Sequence, residues 1–483
     1  MTTSGNAMIR MIAISTAVGI AGCCSALAQA ASHQAVLPDA PASHLLAQAA
    51  PPQLGMTGSP DQSATQASPD SPVGQKPRLT RTEAEQMAIK NNPQVSVAHL
   101  LALAQRQVYR ETRSAELPTG TAAVTAVEAE EGSRISAGSL TASRLVEHVG
   151  AGGGFNQLIT DFGRTRNLVA SSKLQEKAQN ANALATQYDI ALATDQAFYN
   201  ALQAQAMLQV AQQNVNSRQI LQSQVREMAA NKLKSTLDLS FADVNLSQAK
   251  LLLLDAQNNA DSTMAAFDAM LGLDKLVVYD LVDDSPAIQQ PPPDVNQLIQ
   301  QGLRQRPDLQ ASVYGQQAAV KFSHAQRDQL FPSIGASGTA GIVPIRPDQY
   351  YVTNWWGAIG VNMNIPVFNG FLYSSQAKEA AIRAEVASEQ TRDLRDRIVR
   401  DVRNAWLAAN TSYQRLAVTA ALLQQADMAL NLAQTRYQMG LSSIVELSQA
   451  EYEQTDAAIG NTNARYQYHL ALATLNYQIG ANP

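Results

Sequence analysis

Long stretches of the chain repeat apolar residues with the period of an α-helix. From Leu394 to Leu423 the apolar positions step by three or four residues, which is the spacing of one helix face. Glycine and proline are absent from Arg164 to Leu271 and again from Phe371 to Met439. The pattern predicts helices of about 65 residues, which extend roughly 95–100 Å at 1.5 Å per residue. A helix of that length buries its apolar stripe only against partner helices of similar length.

A second pattern, alternation at every second residue, precedes the second long helix. From Trp355 to Val367 one face is apolar, and the other face is mostly small or polar. Ser333–Ile342 alternates similarly, and weaker alternation predicts strands within Thr121–Glu130 and Ala142–Leu158. Such a strand is typical of a membrane barrel with a wet lumen, although one strand alone also suits a half-buried soluble hairpin.

Four strands are too few to close a membrane barrel. Known membrane barrels have at least about eight strands, and lipid does not tolerate an open sheet edge. The strand count therefore predicts that several chains share one barrel. Trp355 and Trp356, at the start of the most regular strand, are predicted to lie in the aromatic belt at the membrane surface.

The chain contains the same unit twice. Pro93 and Pro307 are 214 residues apart in similar surroundings, and farther along the separation is 208 residues, as for Phe198 and Trp406. A separation that stays constant over so long a stretch indicates an internal duplication. The predicted parts are a first repeat at residues 79–273, a linker at residues 274–293 and a second repeat at residues 294–481.

The first thirty residues have the pattern of an export signal. Arg10 precedes a short apolar run, and Ala28-Gln29-Ala30 suits cleavage after residue 30. Ile20–Cys23 instead resembles a lipoprotein motif, which would end the signal at residue 22 and acylate Cys23. The sequence leaves both alternatives open. Residues 31–78, rich in alanine, proline, serine and glutamine, are predicted to be a disordered tail.

Composition and charge argue against several classes of protein. Charged residues make up 16% of the 483 residues, and the net charge of −5 comes without a basic stripe, so nucleic-acid binding is not expected. The six histidines show no metal-binding spacing. No arrangement of serine, histidine and aspartate indicates catalysis. We therefore predict no enzyme activity, no metal and no cofactor.

The order of these elements resembles that of the outer-membrane efflux protein (TolC) family. The resemblance rests on RYQMGLSSIVELSQAE at Arg436–Glu451, on IPVFNG at Ile365–Gly370 and on the duplication. It implies an α+β membrane protein that forms a homotrimeric channel. Each chain would contribute four strands to a twelve-stranded barrel in the lipid of the cell outer membrane, and its long helices would form a coiled-coil barrel in the periplasm.

The same resemblance implies an exit duct without catalytic activity. The duct would serve a tripartite efflux or type I secretion system and would conduct cargo passively. Its partners would be a periplasmic adaptor (membrane fusion) protein and an inner-membrane pump of the RND, ABC or MFS type. The alternative is a structural or adhesive coiled-coil protein of the envelope, and the predicted strands favour the duct.

Two short polar turns would be the periplasmic tips of helical hairpins. The resemblance implies adaptor contacts at Lys232, Leu233 and Lys234 in the first repeat and at Gly440, Leu441 and Ser442 in the second. Gly440 suits a left-handed turn residue, and Asn231 is expected to take that role in the first turn. The lysines suit solvated charges at a helix end equally well.

The resemblance also implies a gate beside the second tip. The first acid of the family's aperture falls on Glu446, and the second falls on Gln449, whose lack of charge puts strong block by divalent cations in doubt. A latch of the closed state would join Tyr437 to Asp238 by a hydrogen bond. A basic residue that supplies a further link in the family is replaced by Ser442.

Overall fold

Long helices and one four-stranded sheet account for most of the structure. The computed structural model describes residues 78–127, 134–137, 140–144, 148–273, 279–283, 288–342 and 355–481. The predicted export signal, Cys23 and the predicted tail up to residue 77 lie outside this part of the chain. So do residues 274–278 and 284–287 of the predicted linker, and the predictions for all these segments stay predictions.

The two repeats contain corresponding elements in the same order. The first repeat comprises β1 (Arg78–Leu79), α1 (Arg81–Asn91), α2 (Pro93–Ser114), β2 (Thr119–Val127), β3 (Arg134–Ala137), β4 (Leu140–Arg144), β5 (His148–Thr160), α3 (Arg164–Ala230) and α4 (Thr236–Met270). β6 (Asp280–Leu281) lies in the predicted linker. The second repeat comprises α5 (Val295–Gln305), α6 (Pro307–Asp328), β7 (Ser333–Ile342), β8 (Trp355–Asn364), α7 (Leu372–Gln438) and α8 (Ile444–Gln478).

Both repeats begin with two short helices that meet at a proline. The Asn92 side chain caps α2 by accepting a hydrogen bond from Gln94 N at 2.9 Å, and Pro93 follows at the first helical position. Pro307 begins α6 in the same position. Proline is favoured there because the first N–H groups of a helix have no intrahelical partner. The two prolines therefore mark the same structural boundary.

The long helices confirm the length predicted from the sequence. α3 and α7 each contain 67 residues, and α4 and α8 each contain 35 residues. The first pair of long helices, α3 with α4, is called hairpin 1 below, and the second pair, α7 with α8, is called hairpin 2. The hairpins pack against each other through α3 and α8. None of the described helices has the length and apolarity of a membrane span.

One antiparallel sheet is built from both repeats. Its strand order is β2-β5-β7-β8, so β5 and β7 join the repeats. The four predicted strands are confirmed, although β8 ends at Asn364 rather than Val367, and β5 begins at His148 rather than Ala142. Residues 128–130 of the first predicted strand lie outside the described residues. The antiparallel pair β3-β4 and the parallel pair β1-β6 were not predicted.

The sheet has two open edges in a single chain. Within the described residues, the outer edges of β2 and β8 lack a partner strand. β8 is exposed along its whole length, with Trp355 at 70% and Trp356 at 46% exposure. Their place in a membrane belt stays a prediction.

The helices pack mainly through alanine and a few large side chains. Phe198 and Phe267 pack edge to face at the centre of one cluster, with ring centroids 5.9 Å apart. Large apolar side chains nevertheless remain exposed along α4 and α7, among them Leu251, Leu254, Val418 and Leu422. Exposed apolar stripes of this kind are typical of surfaces that another chain covers.

Candidate functional site

The turn of hairpin 1 connects α3 to α4 through a left-handed residue. Leu233 N donates to Met228 O at 2.8 Å, and Lys232 N donates to Ala229 O at 3.0 Å. This pair of bonds is a Schellman motif, which requires a left-handed residue just after the helix. Lys232 takes that conformation with φ of 60°, whereas Asn231, the residue expected to take it, has φ of −85°. The expectation for Asn231 was wrong because the hydrogen bonds place the left-handed position one residue later.

The turn of hairpin 2 has the same geometry with a different residue at its centre. Leu441 N donates to Arg436 O at 2.8 Å, and Gly440 N donates to Tyr437 O at 3.1 Å. Gly440 has φ of 75°, as expected from the sequence. Glycine adopts this conformation without a steric penalty, so hairpin 2 has the less strained turn.

The helices that follow the turns begin with different caps. Ser235 and Asp238 form a reciprocal capping box, in which Asp238 N donates to Ser235 Oγ at 3.1 Å and Ser235 N donates to Asp238 Oδ2 at 3.3 Å. In hairpin 2, Glu446 N donates to Ser443 Oγ at 3.3 Å. The Glu446 carboxylate lies 3.5 Å from Arg436 Nε instead. The aperture acid implied by the resemblance is therefore partly neutralised by its own chain.

A lysine of the first turn contacts a tyrosine of the second. Lys234 Nζ lies 4.0 Å from the centroid of the Tyr437 ring and donates to Tyr437 O at 3.5 Å. An ammonium over an aromatic face is a stabilising cation–π contact. Tyr437 is 2% exposed and packs with Val225 and Leu447 in a cluster beside the turns. The turns of the two hairpins are thus joined within one chain.

The predicted hydrogen bond between Tyr437 and Asp238 is not formed in this structure. The Tyr437 hydroxyl is buried without a hydrogen-bond partner in the described part of the chain. Asp238 is turned toward Ser235 N, where it satisfies an N–H group at the start of α4. Burial, and to a smaller degree the charge of Asp238, raise the pKa of Tyr437 to about 12. The phenol therefore stays neutral at physiological pH.

The other predicted tip residues are mostly exposed. Leu233 and Leu441 are 73% and 66% exposed, and Lys232 is exposed as well. Ser442 differs, because its hydroxyl is buried and has no hydrogen-bond partner among the described residues. Two apolar side chains at the ends of the hairpins are available for a contact, while the contact with an adaptor stays a prediction.

Gln449 of the predicted aperture binds an acid that the sequence reasoning did not consider. Gln449 Nε2 donates to Glu453 Oε1 at 2.9 Å, one helical turn beyond. Both side chains are exposed, as is Glu446. The signal was present in the sequence, because Glu446 and Glu453 are seven residues apart and share a helix face. Among the described residues, no group of three or more acidic, histidine or cysteine side chains is arranged to hold a metal ion.

Sequence reasoning also missed the polar contacts that join the hairpins above the turns. Arg218 of α3 forms an ion pair with Glu451 of α8, and the side chains are 9% and 7% exposed. Burial raises the pKa of Glu451, and the guanidinium of Arg218 opposes that shift. Asn245 Nδ2 donates to Ser448 Oγ at 2.8 Å, closer to the turns. Nothing in the sequence of the long helices indicated that the charged side chains of Arg218 and Glu451 would form a pair.

A family model described as outer membrane efflux protein matches residues 85–273 and 298–481 of this chain. Outer membrane protein TolC of Escherichia coli (strain K12) is 25% identical over 350 residues, which are 67% of this chain and 69% of the relative. Outer membrane protein OprJ of Pseudomonas aeruginosa is 23% identical over 414 residues, which are 82% of each chain.

Solved structures of channels have the same fold. The CmeC outer membrane channel of Campylobacter jejuni matches with a TM-score of 0.72 and 18% identity, over 89% of this chain and 94% of that chain. The MtrE outer membrane channel of Neisseria gonorrhoeae, solved in its open state, matches with a TM-score of 0.70 and 20% identity, over 83% and 88% of the two chains.

Proposed function

This chain belongs to the outer membrane efflux protein family, and we propose that it is the passive exit duct of a tripartite efflux system. As a member of this family it is located in the outer membrane, with its long helices in the periplasm. The duct would receive cargo at the hairpin turns and release it on the side of the sheet. No step of this transport requires a catalytic residue.

The observation that carries the proposal is the incompleteness of a single chain. Its four-stranded sheet has two open edges within the described residues. A sheet of this kind is stable in lipid only when its edges are paired, since each unpaired backbone group costs several kcal/mol there. Three chains would supply twelve strands, enough to close a barrel. The exposed apolar stripes of α4 and α7 would be covered by the same neighbours.

The turns are the proposed contact with a periplasmic adaptor protein. Leu233 and Leu441 are exposed at the ends of the hairpins, as a docking surface requires. Lys232 adds a positive charge to the first turn, and Gly440 leaves the second turn without one. The adaptor would connect the duct to an inner-membrane pump of the RND, ABC or MFS type. Service in type I secretion is a further use of the same duct, and it would require a pump of the ABC type.

We propose that the gate lies at the same turns, and that its contacts differ from those implied by the family resemblance. Tyr437 would hold the closed state through its ring contact with Lys234 rather than through a bond to Asp238, whose carboxylate caps α4. Glu446, in three copies, would attract cations to the aperture, and Gln449 would add no charge. Because Arg436 lies 3.5 Å from each Glu446 carboxylate, the attraction is weaker than that of a ring of free acids.

Reconstitution tests the proposal. Full-length protein purified in detergent is expected to have the mass of three chains and to give steady ion conductance in a planar lipid bilayer. A folded trimer without any conductance would contradict the duct and favour a structural protein of the envelope. A monomer would contradict the shared sheet. Heat-denatured protein at the same concentration is the control for non-specific leaks.

A further inference from the structure

Trp355 and Trp356 lie on opposite faces of the four-stranded sheet, because successive residues of a strand alternate between its faces. The residues in register with Trp355 on the other three strands are apolar: Ile342, Ala151 and Val124. Further along β8, the same face carries the exposed apolar side chains of Ile359, Val361 and Met363. This face is therefore the one that suits contact with lipid.

The face of Trp356 consists of small and uncharged residues near the ring. The residues in register with Trp356 are Gly341, Gly152 and Ala123. The next row on this face contains Ala358, Thr339, Gly154 and Thr121. A Cβ at Gly154 would lie 3.5 Å from Thr339 Cγ2 and 3.7 Å from Thr121 Oγ1, which places both threonine side chains on this face. In a closed barrel this face lines the lumen, since the opposite face contacts lipid.

The indole of Trp356 lies over the glycines of the neighbouring strands. A Cβ at Gly341 would lie 3.0 Å from both Cε2 and Cζ2 of Trp356, and a Cβ at Gly152 would lie 3.8 Å from Cζ2. Glycine at position 341 therefore provides the space that the ring occupies. The ring leans toward β7 and β5, away from the open edge of β8 where another chain would pair. Trp356 is held against the sheet in this way and is still 46% exposed.

A groove of about 350 Å³ lies beside the ring on this face of the sheet. Three threonines contribute to its wall, Thr121, Thr125 and Thr339, and glycine and alanine form most of the rest. Among its lining residues in the described part of the chain, Trp356 is the only aromatic residue and none is charged. The face of an indole ring attracts cations and stacks on flat rings, and no positive side chain of the groove opposes that attraction.

We propose that Trp356 is a stacking site for planar aromatic cations on the lumen wall of the duct. The proposal rests on the proposed function, because only a closed barrel has a lumen. Three chains would present three such sites at the same height. One ring binds weakly, which suits a duct that must release what it binds. The inference places Trp356 in the lumen rather than in the membrane belt predicted from the sequence, and it leaves Trp355 in that belt.

Block of the channel by a planar aromatic cation tests the site. N-methylquinolinium is added to the wild-type trimer in a planar bilayer, and each current is compared with that of the same channel before the addition. We expect the current to fall as the concentration rises. Trp356→Leu keeps an apolar side chain over the glycines and removes the aromatic face, so the concentration for half block should rise about three- to tenfold. Trp355→Leu is the matched control on the opposite face and should be blocked as the wild type is.

Tetraethylammonium, an aliphatic cation of the same charge, separates stacking from charge. It should block the wild type less than N-methylquinolinium does, and Trp356→Leu should leave its effect unchanged. Block of Trp356→Leu at the wild-type concentration would overturn the site. So would an equal rise in both tryptophan variants, because the cause would then be the shape of the barrel. A wild type that conducts without being blocked overturns this inference alone, whereas a wild type without conductance overturns the proposed function.

Fluorescence quenching tests the orientation of the two rings without a ligand. The sequence contains three tryptophans, so Trp355→Phe with Trp406→Phe leaves Trp356 as the only fluorescent indole, and Trp356→Phe with Trp406→Phe leaves Trp355. In vesicles of brominated phosphatidylcholine, we expect quenching of Trp355 and little quenching of Trp356. Iodide in the water should quench Trp356 more strongly than Trp355. Equal quenching of both by the brominated lipid would return Trp356 to the belt and overturn the inference.

Discussion

Hairpin 1 and hairpin 2 have the same backbone and differ in where they place charge. Leu233 N and Leu441 N close the two turns with hydrogen bonds of the same length, 2.8 Å. The Asp238 carboxylate nevertheless accepts a hydrogen bond at the start of its own helix, whereas the Glu446 carboxylate lies beside Arg436. The two copies of the turn therefore have the same backbone geometry, whereas their charged side chains make different contacts.

The same contrast recurs where the short helices α1 and α5 pack on the long ones. In the first repeat, Arg81, buried Glu85 and buried Asp195 form a charged network, with Arg81 Nη1 3.2 Å from Asp195 Oδ2. The positions that correspond to Arg81 and Glu85 are Val295 and Ile299. Ile299 is 6% exposed and belongs to an apolar cluster. One backbone position is thus filled by charge in one repeat and by a hydrocarbon in the other.

Breaking the ion pair between the hairpins should have the largest effect on stability. Arg218→Met leaves Glu451 buried without a partner and is expected to lower the free energy of unfolding by about 3–5 kcal/mol. The double variant Arg218→Met with Glu451→Leu should regain most of that loss, because no buried charge remains. Thermal unfolding of the purified trimer, followed by circular dichroism, measures both. A double variant as unstable as the single one would contradict this explanation.

The charged network of the first repeat predicts a pH dependence of intermediate size. Burial first, and Asp195 second, raise the pKa of Glu85 to about 8, against the opposing effect of Arg81. An unfolded glutamate titrates near 4.3, so the folded state holds this proton more tightly than the unfolded state does. Stability is therefore lost as pH rises from about 4.3 to about 8 and is constant above that range.

Glu85→Gln should remove this loss because glutamine mimics the protonated acid. At pH 8 we expect Glu85→Gln to raise the free energy of unfolding, and at pH 5 we expect a clearly smaller gain, because most of the loss occurs above pH 5. Unfolding temperatures of the wild type and the variant, measured from pH 5 to pH 9, test whether the stability gained by the variant increases with pH. Ile299→Val in the second repeat is the matched control, since that position has no group that titrates. A gain that is the same at both pH values would rule out the proton as its cause.

The sequence predicted the backbone better than the contacts. Helix period and the absence of glycine and proline fixed α3 and α7, because local hydrogen bonds determine such elements. The four strands of the sheet were predicted from the alternation of apolar residues with small or polar ones. The ion pair of Arg218 with Glu451 joins residues of different repeats, and no local pattern reports which charged side chains will face each other. The hydrogen bond between Tyr437 and Asp238, predicted for the closed state, is not formed in this structure, because the capping box of α4 uses the same carboxylate.

The smallest predicted effect concerns the residue at the centre of each turn. A left-handed residue other than glycine is strained, because its Cβ approaches the following carbonyl oxygen. Lys232 has this strain at φ of 60°, and Gly440 at φ of 75° does not. Lys232→Gly relieves the strain and adds some entropy to the unfolded chain, for an expected net gain of about 0.5–1 kcal/mol. Gly440→Lys should lose a similar amount.

Local opening of the turns measures this difference more directly than global unfolding does. The amides of Leu233 and Leu441 close the two turns, so their hydrogen exchange reports the free energy of opening each turn. Lys232→Gly should slow exchange at Leu233 only, and Gly440→Lys should speed exchange at Leu441 only. Lys232→Ala removes the charge and keeps the strain. If it slows exchange at Leu233 as much as glycine does, the charge of Lys232 rather than its backbone distinguishes the two turns.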